Sequence, residues 1–245
     1  MPFEGSAPVA RRTVFLRSNF NRPALVRQLA GFLPEGAPAL TDAPRQDLAE
    51  RLGQWLNVAD AITLSSAHPS IAAVGARAAQ QPGRAPTAAA NTLQTELDRV
   101  RTVLARSITT RDPKHRPDAN DLDTEFALFH QRYQDQQRRM EMSVDALREH
   151  VRQTLAKGES RLAQLAALDA VMDQMLGGRE QRLLAGLPAY LKARFKALRQ
   201  AAAASDTPDD LRWLQGFEAE LEQTLLAELE HRLQPVVGMI EALEV

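Results

Sequence analysis

DLDTEFALFHQRYQDQQRRMEMSVDALREHVRQTLAK, residues 121–157, is the stretch that decides the fold. Its large side chains recur mostly at steps of three and four, which places them on one face of an α-helix: Phe126, Phe129, Tyr133, Met140, Val144, Leu147, Val151 and Leu155. At ~1.5 Å per residue the helix would be about 50 Å long, and only a bundle or a coiled coil buries such a seam. Gln136 and Gln137 interrupt the seam, which favours a mixed bundle with some solvent access over a strict parallel dimer.

Helical periodicity continues over most of the chain. We predict further helices over residues 23–33, 44–64, 87–108, 160–176, 179–204 and 207–235, with a short terminal helix after Pro235. We expect Gly177-Gly178 to break or bend the path of the chain, and Pro188 to kink the helix that contains it near residues 184–186. Ala, Leu, Arg, Gln and Glu dominate and aromatic residues make up only 5%, a composition typical of helical bundles. The predicted fold class is all-α: an elongated helical bundle with coiled-coil-like long helices and a smaller N-terminal helical segment.

Changes in composition divide the chain into four parts. We expect a flexible lead over residues 1–22, an N-terminal helical segment over 23–64, an Ala/Pro/Gly-rich linker over 65–90 and a helical bundle domain over 91–245. The linker has few bulky apolar residues to bury. Five of its residues are expected to prevent a continuous helix: Pro69, Gly75, Pro82, Gly83 and Pro86.

The predicted helix before the linker carries the candidate partner-binding residues. Within RLGQWLNVADAITLSSAH, residues 51–68, one apolar face is formed at helical spacing by Leu52, Trp55, Leu56, Ala59 and Ile62. Two interpretations stay open. The helix folds back across the linker and anchors in the bundle core, or it is a tethered element that docks on a partner protein. Leu52, Trp55, Leu56 and Ile62 are the candidates for either role.

Charge is nearly balanced over the whole chain but is distributed unevenly along it. The formal net charge is −1. Residues 179–199 hold six basic residues and one acidic residue, a net of +5, whereas residues 205–245 hold ten acidic and two basic residues, a net of −8. These opposite charges predict antiparallel packing of the two segments, worth ~0.2–1 kcal/mol per exposed pair. The alternative, a basic face for nucleic acid, lacks the interleaved aromatic residues typical of such faces.

The sequence contains no motif that points to catalysis, a cofactor or a metal. Cysteine is absent, which excludes disulfides, thiolate catalysis and cysteine-ligated metals. No two of the five histidines lie three or four residues apart. The Glu-x-x-His pairing that carboxylate-bridged metal helices need on two helices occurs only once, at Glu228 and His231. A phosphate loop, a dinucleotide fingerprint and a nucleophile elbow are also absent. We therefore expect a non-enzymatic protein without catalytic, cofactor-binding or metal sites.

The expected location is the cytoplasm. The lack of cysteine suits a reducing compartment. The chain also lacks an apolar run of about 18 or more residues, so we expect no membrane span.

Three stretches of the chain resemble a bacterial family catalogued as a domain of unknown function. They are RLGQWL with DAITL at residues 51–56 and 60–64, LAALDAVMDQML with Arg179-Glu180 at 165–180, and LAELEHRLQPVVGMIEAL at 226–243. The resemblance covers most of the chain beyond Pro23. It implies that the gene lies beside genes for proton-channel proteins of the flagellar-stator and TolQ type and for peptidoglycan-binding proteins resembling outer membrane protein A. It also implies a link to Zorya-type antiphage defence systems, and it brings no catalytic residue set.

The sequence therefore predicts a helical adaptor or accessory protein that binds a protein partner. The resemblance implies that this partner belongs to a proton-channel-type envelope or defence complex. Two alternatives stay open. One is a nucleic-acid-binding defence effector that uses residues 192–199 and the loop at 111–116, although the balanced charge makes nucleic acid the less favoured partner. The other is a purely structural bundle that assembles as a homo-oligomer.

Overall fold

A computed structural model describes residues 24–30, 32, 57–80, 86–111, 115–118, 120–204 and 211–243. These residues form seven α-helices: α1 Ala24–Ala30, α2 Val58–Ala78, α3 Pro86–Thr109, α4 Leu122–Leu155, α5 Ser160–Leu184, α6 Leu187–Ala203 and α7 Arg212–Glu241. In these described ranges no residue belongs to a β-strand. The predicted all-α helical bundle is confirmed.

Helix α7 runs through the centre of the bundle. It contacts α1, α3, α4 and α6, and its buried side chains occupy successive turns: Leu214, Phe217, Leu221, Leu225, Leu229, Leu233 and Val236. Helix α4 lies beside it in parallel orientation. Near its start, the ring of Phe129 meets that of Phe217 edge-on with centroids 5.3 Å apart. Further along, the hydroxyl of Tyr133 donates to Glu228.

The apolar seam predicted for residues 121–157 forms the side of α4 that faces the core. Tyr133, Met140, Val151 and Leu155 are fully buried. The expected solvent access is wrong for Gln136, whereas Gln137 is half-buried. Gln136 is 8% exposed and its amide nitrogen donates to the carbonyl of Ser107 at 3.2 Å, while Gln137 donates to Glu228 at 3.1 Å. Hydrogen bonds to neighbouring helices therefore stabilise the two polar side chains that interrupt the apolar seam.

Several predicted helix breaks lie inside helices. Pro69 and Gly75 are in α2, Gly177-Gly178 is in α5, and Pro235 is in α7. The predictions that these residues end or prevent a helix are wrong, because packing of an amphipathic face stabilises a helix more than one lost backbone bond destabilises it. The expected linker at residues 65–90 is helical over residues 65–78, and the boundary placed between residues 64 and 65 falls within α2.

Pro188 marks a real break, at the place that the sequence indicated. Helix α5 ends at Leu184 and α6 begins at Leu187, so Pro188 lies in the first turn of a new helix rather than at a kink within one helix. Proline suits this position because the first turn of a helix has no acceptor for its N–H.

The predicted charge complementarity between the basic and acidic segments is present, but the acidic residues of α7 pair with α4 as well as with the basic helix α6. Arg194 in α6 pairs with Glu220 in α7 at 2.7 Å, and these two helices pack together. Two other acidic residues of α7, Glu218 and Glu222, instead bind Arg132 of α4, at 2.8 and 3.1 Å. The acidic face of α7 therefore holds several helices rather than α6 alone.

Among the described helices, none combines the length and the apolar character needed to cross a lipid bilayer. The predictions for residues 1–22, for residues 44–56 of the second helix and for residues 207–210 at the start of the last long helix lie outside the described residues.

Candidate functional site

Helix α2 forms an outer layer on the bundle, and its principal packing partner is α5. The two helices are antiparallel, because Asp60 at the start of α2 binds Arg179 near the end of α5, whereas Gly75 near the end of α2 lies against Gln164 near the start of α5. A Cβ atom on Gly75 would lie 2.3 Å from Nε2 of Gln164. Glycine at this position therefore leaves room for the side chain of Gln164 against the backbone of α2.

The start of α2 is fixed by a hydrogen-bonded group of three side chains. Oδ1 of Asn57 accepts from the backbone N–H of Asp60, and the backbone N–H of Asn57 donates to Oδ2 of Asp60, both at 2.9 Å. Such a capping box satisfies two backbone donors of the first turn. Arg179 donates to both carboxylate oxygens of Asp60 at 2.7 Å. These bonds, first that of Arg179 and then that of Asn57, hold the pKa of Asp60 below its usual value.

The two faces of α2 differ in burial. The face towards α5 carries residues that are half-buried: Leu64, Ala67, Ile71 and Val74. On the opposite face, Val58 is 78% exposed and Ile62 is 64% exposed. Core anchoring is therefore the wrong interpretation for Ile62, which lies on the outward face. The other three candidates, Leu52, Trp55 and Leu56, lie outside the described residues.

A cleft of about 350 Å³ opens beside α5, between α4, α5 and α7. We call it the charged cleft, and the residues of its lining that matter here are Asp145, Arg148, Asp173, Gly177, Gly178, Glu180, Arg232 and Pro235. Gly177 and Gly178 contribute no side chains, so the backbone of α5 forms part of the wall.

Beside the charged cleft, two arginines of α4 form ion pairs with two aspartates of α5, and one residue of each pair, Arg148 and Asp173, lines the cleft. Arg148 binds Asp169 at 2.7 Å and Asp173 at 2.8 Å. Arg152 binds the same pair at 2.7 and 2.6 Å. Burial raises the pKa of Asp169, but the hydrogen bonds from Arg148 and Arg152 outweigh burial and hold this pKa below its usual value. The positive charge of both arginines is thus already compensated.

Arg232 of the cleft lining binds a buried carboxylate that has three donors. Glu228 is fully buried and accepts from the hydroxyl of Tyr133 at 2.7 Å, from Gln137 at 3.1 Å and from Arg232 at 2.8 Å. Burial raises the pKa of Tyr133 far above its usual value, and the negative charge of Glu228 raises it further. Because Glu228 compensates Arg232, this arginine also brings no free positive charge to the cleft.

The carboxylates of Glu180 and Asp145 differ in their partners. Glu180 lies 3.2 Å from Nε2 of His231, and the hydrogen bond from His231 is the main cause of its lowered pKa. Asp145 forms no hydrogen bond or ion pair with another residue in the described part of the chain. Its pKa is raised, first by burial and then by repulsion from Asp173 and Glu141, despite the attraction of Arg232 and Arg148.

The sequence analysis did not find the charged cleft, although one signal was present. Arg148 and Arg152 lie four residues apart, as do Asp169 and Asp173, so each pair occupies one helix face. The sequence could not indicate that the two faces meet. The described residues hold no group of three or more histidine, aspartate or glutamate side chains placed to bind a metal ion.

The fold and this site define an all-α bundle with an outer helix and a charged cleft between helices. A family model described as "Protein of unknown function (DUF3348)" matches residues 13–245, and the chain belongs to this family. The resemblance to a family of unknown function is thereby confirmed. Neither a curated protein nor a solved structure matches the chain.

Proposed function

We propose that the protein is a cytoplasmic adaptor, without enzymatic activity of its own, that binds a partner protein through the outward face of α2. The observation that carries this proposal is the exposure of Val58 and Ile62 on a helix that uses only its other face for packing. Contiguous apolar patches are typical of protein–protein contacts, and Val58 and Ile62 lie one turn apart on the same helix face.

The composition of α2 supports the proposal. Its only charged residues are Asp60, which is buried against α5, and Arg77 in the last turn. The residues spaced along the outward face are uncharged: Val58, Ile62, Ser65, Pro69, Ala72, Ala73 and Ala76. Depletion of charge distinguishes the buried centre of an interface from the rest of a protein surface. Small side chains also allow close approach of a partner helix.

The proposed partner is the cytoplasmic part of a proton-channel complex. Support comes from the resemblance of residues 51–64, 165–180 and 226–243 to a family whose genes are expected beside those of stator- and TolQ-type channel proteins, and which is also associated with Zorya-type defence. A partner helix that lies across the outward face of α2 would bury Val58 and Ile62. No residue of the charged cleft is needed for this contact.

The alternative of nucleic-acid binding is weakened because three of the arginines that it would use form ion pairs within the protein. Arg111 binds Glu222 at 2.9 Å, Arg194 binds Glu220 at 2.7 Å and Arg199 binds Asp123 at 3.0 Å. Phosphate would have to displace these carboxylates. The electrostatic gain that dominates binding to nucleic acid would thereby be reduced.

Co-purification of the tagged protein with the co-expressed channel protein tests the proposal. Ile62→Asp and Val58→Asp are expected to abolish recovery of the channel protein, because each places a charge at the centre of an apolar contact. Both variants are expected to fold normally, since the side chains are exposed. Leu128→Asp is the matched control, because Leu128 is a 51% exposed aliphatic residue on α4.

Two outcomes would contradict the proposal. One is equal recovery of the channel protein with all three variants and the unaltered chain. The other is a homo-oligomer of the purified chain, detected by light scattering, that Ile62→Asp alone dissociates. In that case a second copy of this chain, rather than another protein, occupies the outward face.

A further inference from the structure

The end of α5 and the whole of α6 form the most basic part of the chain. Residues 181–203 contain five basic residues and no acidic one: Arg182, Lys192, Arg194, Lys196 and Arg199. Lys192 and Lys196 are exposed and lie one turn apart, on the same side of α6. Neither lysine forms a hydrogen bond or an ion pair with another described residue. Their positive charge is therefore free to act outside the molecule.

The acidic residues of the neighbouring helices are used elsewhere. Helix α6 packs against α4 and α7. On α7, Glu220 binds Arg194 at 2.7 Å, while on α4 the exposed Asp123 binds Arg199 at 3.0 Å. At the end of α5, the exposed Arg182 donates to the carbonyl oxygen of Gly178 at 2.9 Å. None of the described carboxylates thus compensates Lys192 or Lys196.

Two large side chains are exposed in the same part of the chain. Leu183, in the last turn of α5, is 62% exposed, and Tyr190, in the first turn of α6, is 54% exposed. We call residues 182–196 the basic stretch. Leucine and tyrosine are residue types that lie at the boundary between lipid head groups and acyl chains. The basic stretch therefore combines uncompensated positive charge with side chains suited to that boundary.

From this free charge and the exposed side chains beside it, we infer that the basic stretch binds the surface of a bilayer that contains anionic lipids. Lysine is a compact, strongly hydrated charge that suits a spread of negative charge, whereas arginine is favoured for single phosphates or carboxylates. The outward side of a single helix is convex, so it offers no groove for an acidic peptide. Sequence-independent binding of single-stranded nucleic acid uses several stacking aromatic residues, and Tyr190 is the only exposed one in this stretch.

Lys192→Gln combined with Lys196→Gln tests the electrostatic part of the inference. We expect this pair to weaken binding to anionic vesicles about 25-fold, because each basic residue near an anionic surface contributes about a factor of five. Arg99→Gln combined with Arg106→Gln is the matched control. It removes the same charge from exposed positions of α3, where the acidic residues Glu96 and Asp98 are close in sequence, and should bind as the unaltered protein does.

Leu183→Ser combined with Tyr190→Ser tests the apolar part. Loss of two side chains that enter the head-group region should weaken binding about tenfold or more. Val103→Ser combined with Leu128→Ser is the control, because both residues are exposed aliphatics on other helices. All four double variants change exposed side chains, so unfolding in urea should show stabilities close to that of the unaltered chain.

The measurement is co-sedimentation of the purified full chain with lipid vesicles. We expect binding to vesicles of equal parts phosphatidylglycerol and phosphatidylcholine, and none to phosphatidylcholine alone. Added sodium chloride should weaken the binding, because salt screens exposed charges. No partner protein is present and no residue of α2 is changed, so failure here is distinct from failure of the adaptor proposal.

Three results would overturn the inference. The first is the absence of binding to the anionic vesicles. The second is an equal loss of binding with the α6 pair and with the α3 pair, which would show that any exposed cations suffice. The third is binding of duplex DNA, lost in the α6 pair, by a chain that does not bind the vesicles. That result would assign the basic stretch to nucleic acid.

Discussion

At the scale of single residues, Glu228 illustrates what the sequence could and could not indicate. In the sequence, Gln136 and Gln137 interrupt the apolar seam of α4. In the structure, the carboxylate of Glu228 lies opposite this interruption and accepts from Gln137. The identity of that group was not predictable. Helix α7 carries several glutamates at similar spacing, and only the packing of α4 against α7 selects Glu228 for the interior.

The hydrogen bond between Tyr133 and Glu228 predicts how stability depends on pH in alkaline solution. The folded protein raises the pKa of Tyr133 above the ordinary 10.0, so the contribution of this residue is fully present below about pH 10 and is lost as pH rises further. We expect the free energy of unfolding, measured with urea, to fall steeply above about pH 10. Tyr133→Phe should be less stable at neutral pH, because Glu228 loses a donor, but should show a weaker alkaline loss.

Tyr190→Phe provides the comparison for that prediction, since Tyr190 is the other tyrosine and is exposed. This variant should retain the alkaline loss of stability. An identical alkaline slope for Tyr133→Phe and the unaltered protein would show that the buried hydroxyl does not control the transition.

At the scale of secondary structure, α2 is where sequence and structure differ most. The sequence analysis placed a helix at residues 44–64 and a linker after it, whereas the described helix covers Val58–Ala78. The half-buried stripe of Leu64, Ala67, Ile71 and Val74 follows helical spacing, but it is sparse and interrupted by proline and glycine. Its stability depends on α5, and contact with a distant helix cannot be inferred from local periodicity.

The close approach at Gly75 predicts how α2 can be loosened selectively. Gly75→Leu should loosen the contact of α2 with α5, because a leucine needs the space that the Gln164 side chain occupies; a Cβ atom alone would lie 2.3 Å from Nε2 of Gln164. We expect faster hydrogen–deuterium exchange over residues 58–78 with little change in α3, α4 and α7. Adding Gln164→Ala should restore part of the protection by making space.

Gly238→Leu is the control, because a Cβ atom at Gly238 meets nothing within 4 Å. This variant should leave hydrogen–deuterium exchange in α2 unchanged. Equally accelerated exchange over residues 58–78 in both variants would refute the role of Gly75.

At the scale of the whole molecule, the bundle presents α2 on its outside. The long seam over residues 121–157 predicts a bundle or a coiled coil, and its interruption at Gln136 and Gln137 favours the bundle. The order of packing was not predictable, since it depends on pairs far apart in sequence such as Arg148 with Asp169 and Asp60 with Arg179. Those pairs join α4 to α5 and α5 to α2. They thereby place the proposed docking face of α2 on the outer side of α5, away from the core.

The measurement that tests the docking proposal most directly is site-specific crosslinking in cells that also produce the proton-channel protein. The chain has no cysteine, so Ile62→Cys and Leu128→Cys each introduce one attachment point for a photoactivatable crosslinker. We predict a covalent adduct with the channel protein from position 62 and none from position 128. Adducts of equal yield from both positions, or none from position 62, would contradict the proposal that the outward face of α2 binds this partner.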